Sequence, residues 1–382
     1  MTHRMGTAVS LAVCAALVAT AAFAQKKPAP PAAKLFTTPL TIDEMTGKQA
    51  VIETTLGRIV IDLLPAQAPN HVGYFIKLAR EGAYDGTTFH RLVARGIIQG
   101  GDPLSKDPAK AAQYGTGGLR VLAFEPGAGT HVAGAVSSVL LPGNKNSAGA
   151  QFFICVVPQP ALDGQYTMFG KVVEGIGIAQ LISETPVDEA GKAATRVEMT
   201  SVTIRDALPP GVEPFSTEPV EELASYCATL ETSLGAITLE LLLEKAPNTV
   251  CNFLRLASTG VYDRTSFHRV VPAFMIQAGY LGTKQVPMDE SQKALVRTLE
   301  PEFNDTPHEK GVVSMARGQD RASASTSFFI MTTRVSSFDG IYTAFARVVD
   351  GMSVVEAIEQ APRDGEAPAP RIDLLRVRVS KK

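Results

Sequence analysis

The sequence is poor in cysteine, in net charge and in long apolar runs. Four cysteines occur among 382 residues. Three of them (Cys155, Cys227 and Cys251) follow the N-terminal region, and an odd number is no disulfide framework. The formal net charge of −2 gives no reason to expect nucleic acid or an anionic membrane as a partner. After the N-terminal region, no stretch is long enough to span a membrane.

Motifs for several common chemistries are also missing. His131 and His308 are scattered and do not have the spacing of metal ligands, and neither a Gly-x-Ser-x-Gly motif nor a P-loop is present. Residues 174–180 contain Gly-x-Gly before a predicted helix, but no third glycine completes a dinucleotide fingerprint. The sequence therefore predicts neither a metal site nor a cofactor site.

The cysteines leave one question open. Cys155 follows an apolar Phe-Phe-Ile stretch and is predicted to be a buried thiol. Cys227 and Cys251 could pair in an oxidising compartment. The sequence does not set the distance between their Cα atoms, so both states stay open.

The N-terminus has the pattern of a secretory signal peptide. A basic start is followed by an Ala-rich apolar run and by Ala22-Phe23-Ala24. We expect cleavage after residue 24 and a periplasmic or secreted protein, with no membrane association after cleavage. An uncleaved anchor is the alternative, but the run is short for a membrane span. Residues 25–45 are predicted to be a flexible leader.

Comparison of the sequence with itself reveals an internal duplication. Residues 52–93 align with 230–271 without a gap, and about half of the positions are identical. Residues 149–175 align in the same way with 325–351. We predict one domain at 46–206, a Pro-rich and acidic linker at 207–222 and a second domain at 223–382. Many short strands, with helices after residue 68, at 176–184 and at the matching places of the second copy, suggest closed barrels with helices over their ends.

Both copies resemble the cyclophilin family of peptidyl-prolyl cis-trans isomerases along nearly their whole length. The ordered elements are Tyr-Asp-x-x-x-Phe-His-Arg, Gln-x-Gly, Gly-Val-Val-Ser-Met-Ala at 311–316, Phe-Phe-Ile, and Leu/Phe-Asp-Gly. The resemblance implies two mainly β domains, each an eight-stranded antiparallel β-barrel capped by two helices. It implies no metal, no cofactor and binding of proline-containing peptides and of unfolded or folding proteins.

The resemblance assigns site residues in the second copy. Arg269 matches the family's catalytic arginine, and Gln277 matches its substrate-gripping amide. The other matching positions form the proline pocket and the substrate-binding segment: Phe274, Met275, Ala316, Arg317, Phe329, Phe338 and Tyr342. Because a strand has two faces, we expect at least one of Phe274 and Met275 to belong to the core.

The second copy departs from the family pattern at several positions. Ser327 stands where the family usually has Gln, and this puts one substrate contact in doubt. Ser337 stands for a common Trp and Tyr342 for a common His.

The first copy keeps the polar residues and loses part of the pocket. Its matching positions are Arg91, which would be catalytic, and Gln99, Gln151, Phe153, Leu162 and Tyr166, which would bind substrate. Gly96 and Ile97, however, replace Phe and Met, and Val139-Leu140 replaces the Ala-plus-polar pair. We therefore predict that the second copy is the more complete catalytic site.

Some of these residues could have structural roles instead of functional ones. Arg269 in isolation could be a surface arginine in an ion pair, but its apolar neighbours at family spacing favour catalysis. His90 and His268 are predicted to be structural, because rotation about a peptide bond needs no proton transfer. The expected function is that of an exported isomerase that assists folding. A non-catalytic peptide-binding or chaperone module, above all in the first copy, is the alternative.

Overall fold

The computed structural model describes residues 35–189, 191–209 and 211–382. The predicted signal peptide and the start of the predicted leader lie outside these ranges. Within them, no helix combines the length and the apolar character needed to cross a membrane.

The first half of the described chain forms one antiparallel sheet. Its strands are β1 Lys48–Thr54, β2 Gly57–Leu63, β3 Phe89–Val93, β4 Ile97–Gly100, β5 Ala135–Ser138, β6 Phe152–Cys155, β7 Met168–Glu174 and β8 Met199–Asp206. The strand order is β3-β4-β6-β5-β7-β2-β1-β8. Thr88, beside β3, forms an antiparallel bridge with Glu198, beside β8. The two outer strands therefore meet, and the sheet closes on itself.

Helices cover the first barrel as the sequence predicts. They are the short α1 Ile42–Met45, then α2 Pro69–Arg80 and α3 Ile176–Ser183. Proline at the first turn of α2 suits a position where no helical N–H is needed. Helix α2 turns Val72, Phe75 and Ile76 inward, and this apolar stripe seals the barrel.

The second half repeats this architecture. Its helices are α4 Val220–Ala224, α5 Pro247–Ser258, α6 Glu290–Leu295 and α7 Met352–Gln360. Its strands are β9 Tyr226–Thr232, β10 Gly235–Leu241, β11 Thr265–Phe267, β12 Arg269–Val271, β13 Met275–Ala278, β14 Val312–Met315, β15 Phe328–Met331, β16 Ala344–Asp350, β17 Arg363–Asp364, β18 Ala367–Pro368 and β19 Ile372–Lys381.

The main sheet of the second half is ordered β11-β19-β9-β10-β16-β14-β15-β13-β12. It has nine strands among the described residues because His268 interrupts what is one strand, β3, in the first half. Strands β17 and β18 form a separate small hairpin. The predicted fold class, two antiparallel barrels with covering helices, is confirmed.

Each barrel has its own apolar core. Phe75, Tyr84 and Phe152 pack edge to face in the first core, and Phe253, Tyr262 and Phe328 repeat the arrangement in the second. These rings are almost fully buried, so they supply much of the apolar area that stabilises each barrel.

Part of the predicted leader differs from the expectation. In residues 35–45 the backbone N–H of Phe36 donates to the carbonyl of Val121, Thr41 and Glu44 form a capping box for α1, and Met45 is fully buried. These contacts fix residues 35–45 against the first barrel. The composition of the leader did not predict this, because the contacts join residues far apart in the sequence.

A buried polar interface joins the two barrels. The Arg376 side chain, on β19, donates to Glu53 and to the Thr54 carbonyl at the end of β1, each at 3.1 Å. Arg264 donates to the carbonyls of Thr55 and Leu56. Val286, from the second half, packs into the core of the first. The halves therefore form one body in which each barrel stabilises the other.

The three cysteines in the described part of the chain are free thiols. Cys155 is fully buried in β6, as predicted, while Cys227 and Cys251 are partly exposed and unpaired. The open question about a disulfide is thus answered in favour of the reduced state in this structure.

Candidate active site

A cavity of about 320 Å³ opens on the second barrel. Nine side chains line it, and they are the nine that the sequence assigned to the second copy. They are Arg269, Phe274, Met275, Gln277, Ala316, Arg317, Phe329, Phe338 and Tyr342. Residues up to 73 positions apart in the chain thus line the same cavity.

Strand register explains how these residues meet. In the β12–β13 hairpin Arg269 lies directly opposite Gln277, and Gln277 lies opposite Phe329 on β15. Met275 and Gln277, two positions apart, share one face of β13. Phe274 precedes the strand, in the turn that Ala273 forms with a positive φ of 54°. The strand alternation therefore does not apply to it, and both Phe274 and Met275 line the cavity. Met275 is also buried in an apolar cluster with Phe329, as expected for at least one of the two residues.

Aromatic rings form the apolar floor. Phe338 contacts Phe274, Phe329 and Tyr342, with ring centroids 5.3, 5.8 and 4.5 Å away. Phe329 and Met275 are only 4% and 3% exposed. The floor therefore presents apolar and aromatic side chains, a polarity that suits a small apolar ring.

A buried polar group supports this floor from behind. His308 contacts Ser314 at 2.9 Å and Asp339 at 3.3 Å, and its ring stacks on Phe329. Burial lowers the pKa of His308, so the ring is neutral at pH 7. Hydrogen bonds from Arg334 and from the His308 backbone lower the pKa of Asp339 to about 2. Sequence reasoning missed this triad, although its equivalent (His131, Asp163, Ser137) exists in the first half.

Two arginines carry the positive charge of the cavity. Arg269 pairs with Glu366, which raises the pKa of its guanidinium. Arg317 lies over the Tyr342 ring at 4.8 Å, a cation–π contact, and donates to the carbonyls of Gly318 and Ile341. Both guanidinium groups are thus held at the cavity, beside its aromatic floor.

His268 is not part of the cavity lining. Its ring packs on Tyr280, with centroids 5.4 Å apart, and desolvation lowers its pKa. His90 occupies the same place in the first half, where burial also lowers its pKa. Neither lies where it could act on a group bound beside Phe329 or Phe153.

At the matching surface of the first half, aliphatic side chains replace several of the second-half residues. Around the buried Phe153 and Cys155 pack Leu64, Ile97, Val139, Leu162 and Tyr166. Tyr166 meets the Phe153 ring edge on at 5.2 Å. Val139 occupies the place of Ala316, and Ile97 that of Met275.

The polar residues of the first half contact one another. Arg91 donates to Gln99 at 3.4 Å, Gln99 donates to Gln151 at 3.0 Å, and Gln151 donates to the Gly117 carbonyl at 2.7 Å. Gln99 and Gln151 are buried. In the second half Ser327 replaces Gln151, so Gln277 has no such partner at that position.

The described residues contain no cluster of His, Cys, Asp and Glu side chains that could hold a metal ion. The chemistry available at the second-half cavity is therefore that of guanidinium and amide donors beside an apolar floor. These groups can bind and polarise a peptide group. Ser314 and His308 are fully buried behind the floor, so they do not present a nucleophile and a base to the cavity.

Comparison with known proteins identifies the family. The family model described as cyclophilin type peptidyl-prolyl cis-trans isomerase matches residues 50–204 and 227–379. The chain belongs to this family. It is therefore a peptidyl-prolyl cis-trans isomerase, with one family match over each barrel.

Several curated relatives carry the same activity in their names. Peptidyl-prolyl cis-trans isomerase-like 1 of Neurospora crassa is 35% identical over 157 residues, which are 40% of this chain and 91% of that protein. A peptidyl-prolyl cis-trans isomerase of Helicobacter pylori is 35% identical over 37% of this chain and 83% of its own length. A cyclophilin crystal structure from Cryptosporidium parvum, obtained in the presence of the dipeptide Ala-Pro, is 27% identical, with a TM-score of 0.38, over 41% of this chain and 99% of its own.

Proposed function

We propose that the second barrel is the principal catalytic site of this cyclophilin and that Arg269 is its catalytic residue. The observation that carries the proposal is that the nine assigned side chains line a single cavity. A guanidinium, an amide and an apolar floor are the parts that rotation about an X-Pro bond requires.

The mechanism follows from the electronic structure of the peptide bond. Resonance gives the C–N bond partial double-bond character and a rotational barrier of ~18–20 kcal/mol. At the twisted transition state resonance is lost, and the proline nitrogen regains a lone pair. The Arg269 guanidinium can donate to that lone pair only in the twisted state, so its contribution is specific to the transition state.

The rest of the cavity serves binding. The floor of Met275, Phe329 and Phe338 takes the proline ring and excludes water, which strengthens the Arg269 hydrogen bond. The Gln277 amide, opposite Arg269 in the hairpin, grips the substrate carbonyl. Arg317 and Ala316 bind the substrate backbone.

The first barrel is proposed to be a slower isomerase or a peptide-binding module. Arg91, Gln99 and Gln151 are retained, and they bind each other. A substrate would have to displace these bonds and would meet a surface occupied by Val139, Leu162 and Ile97. Its Phe153 and Tyr166 would then hold the proline ring loosely.

The cellular role is proposed from the N-terminal sequence. A cleaved signal peptide would deliver the mature protein, beginning at Gln25, to the periplasm or outside the cell. There it would act on proline-containing segments of folding proteins. N-terminal sequencing of the protein recovered from the cell envelope tests this. A retained N-terminus, or a lipid on Cys14, would contradict it.

The isomerase proposal is tested with the full chain, because the halves share a buried interface. We expect the wild-type protein to accelerate cis-to-trans conversion of short X-Pro peptides in a protease-coupled assay, and the double variant Arg91→Ala/Arg269→Ala to be inactive while folded. A folded double variant that keeps the wild-type rate would refute the role of both arginines. Suppression of aggregation by that variant would favour the chaperone alternative.

A further inference from the structure

The hairpin formed by β17 and β18 brings a carboxylate to Arg269. Glu366 lies in the turn of this hairpin, between Arg363–Asp364 and Ala367–Pro368. Its carboxylate accepts hydrogen bonds from Nε of Arg269 at 2.5 Å and from Nη2 at 3.2 Å. This is a bidentate contact, which fixes the plane of the guanidinium as well as its position.

The backbone holds Glu366 in place for this contact. The Val270 N–H, next to Arg269, donates to the Glu366 carbonyl at 2.7 Å, and the Ala369 N–H donates to Pro362 at 2.8 Å across the base of the hairpin. The carboxylate is therefore placed by the main chain of the strand that carries the arginine.

Glu366 binds the guanidinium from outside the cavity. Arg269 is among the lining side chains, and Glu366 is not. The contact engages the Nε and Nη2 side of the guanidinium, so Nη1 is left for a group in the cavity. This geometry orients the arginine and does not block the proline site.

We propose that Glu366 is a positioning residue that preorganises Arg269 for catalysis, an inference that rests on the proposed role of Arg269. An unrestrained arginine loses side-chain entropy when it is fixed at the transition state. The ion pair with Glu366 restrains the Arg269 side chain before substrate binds. Less side-chain entropy is therefore lost on reaching the transition state.

Among the described residues of the first barrel, no carboxylate is paired with Arg91 in this way. There the backbone contact with β3 is made by Gly191, whose carbonyl accepts from the Leu92 N–H. Glycine offers no carboxylate, and Arg91 donates to Gln99 instead. The two arginines thus have different partners, an amide for Arg91 and a carboxylate for Arg269. This is a second difference between the two sites, in addition to the different residues of the pocket wall.

The exposure of the pair makes it sensitive to salt. The side chains of Arg269 and Glu366 are 41% and 55% exposed. Exposed ion pairs are weak and are screened by ions, so the expected effect on the rate is about two- to fivefold, within the range of a single exposed pair.

The experiment uses the full chain with Arg91→Ala, so that only the second site reports. We expect Glu366→Gln to lower kcat by about two- to fivefold, with little change in peptide affinity, since a positioning effect acts on the transition state. The loss of rate that raised salt causes in the parent should disappear in the variant. In a ¹⁵N NMR spectrum the Arg269 Nε–H signal should lose its protection from solvent exchange.

Asp364→Asn is the matched control, because it removes the same charge from the same hairpin away from the guanidinium. It should keep the parent's rate and salt response, and Glu366→Asp should retain part of the effect. A Glu366→Gln variant with an unchanged rate and salt response, or with a higher rate, would overturn this inference. If Arg269→Ala itself keeps the rate, the proposed function fails instead, so the two failures are distinguishable.

Discussion

The two barrels share a fold and differ in how their candidate sites are filled. In the second, Phe274, Met275 and Phe329 border an open cavity. In the first, Ile97 and Val139 pack onto Phe153, and Gly96 stands where Phe274 would be. The same strands with the same register thus carry Phe274 and Met275 in the second barrel where the first has Gly96 and Ile97.

The comparison shows that matching arginines lie in different surroundings in the two barrels. Arg91 and Arg269 occupy matching strands opposite matching glutamines. Arg91 lies beside buried amides that bind each other, whereas Arg269 lies beside an apolar floor and is held by Glu366. The surroundings of the arginine, more than its presence, are expected to set the rate.

The largest expected effect is a loss of unfolding free energy when the interface between the two barrels is disrupted. The same variant tests whether contact between the barrels influences the isomerase rate. Arg376 is 8% exposed and contacts Glu231 and Glu53. Arg376→Ala removes one cationic partner from each of these two carboxylates. We expect the loss of this buried network to cost about 3 kcal/mol of unfolding free energy. Urea denaturation measures this loss, and kcat/KM should stay within about twofold.

Arg378→Ala is the control for the interface, since Arg378 binds the same Glu231 with a side chain that is 41% exposed. Its cost should be below about 1 kcal/mol. A large change in the isomerase rate of Arg376→Ala would mean that the contact between the barrels, and not each pocket wall, governs activity.

The next prediction tests whether Phe274 and Met275 account for the difference between the barrels. The two residues are replaced by their first-half counterparts, Gly and Ile. In an Arg91→Ala background, Phe274→Gly with Met275→Ile should lower kcat/KM by about tenfold or more, which is ~1.4 kcal/mol of transition-state binding. A buried aromatic ring supplies ~150–250 Å² of apolar area at ~25 cal/mol per Å². Only part of this area covers the substrate ring, so the full value is not expected.

Phe274→Leu, which keeps an apolar side chain at the same place, should lose less than the wall transfer. Circular dichroism should show both proteins folded. If the double substitution leaves kcat/KM unchanged, the pocket wall does not explain the difference between the barrels.

The smallest expected effect concerns the chemical reactivity of Cys155, which is buried beneath the first-half surface. Burial raises the pKa of Cys155 to about 12, so at pH 8 almost none of it is the reactive thiolate. We expect a small alkylating reagent to modify Cys227 and Cys251 and to leave Cys155 unmodified, as shown by peptide mass spectrometry. Rapid modification of Cys155 in folded protein would indicate that this surface opens readily.

The sequence predicted the features that depend on spacing along the chain. The alignment of the two copies predicted two barrels, and the resemblance to the family assigned Arg269 and Gln277 to one site. The turn at Ala273 was not foreseen, and it allows the adjacent Phe274 and Met275 to line the same cavity. The Arg269–Glu366 pair and the Arg376 interface join residues 97 and 323 positions apart, and no local pattern marks them.

The central claim is that the second barrel carries most of the isomerase activity. The most direct measurement is kcat/KM of the full-length single variants Arg91→Ala and Arg269→Ala on one set of X-Pro peptides. We expect Arg91→Ala to keep nearly all of the wild-type value and Arg269→Ala to fall by about tenfold or more. Equal losses, or a larger loss in Arg91→Ala, would contradict it.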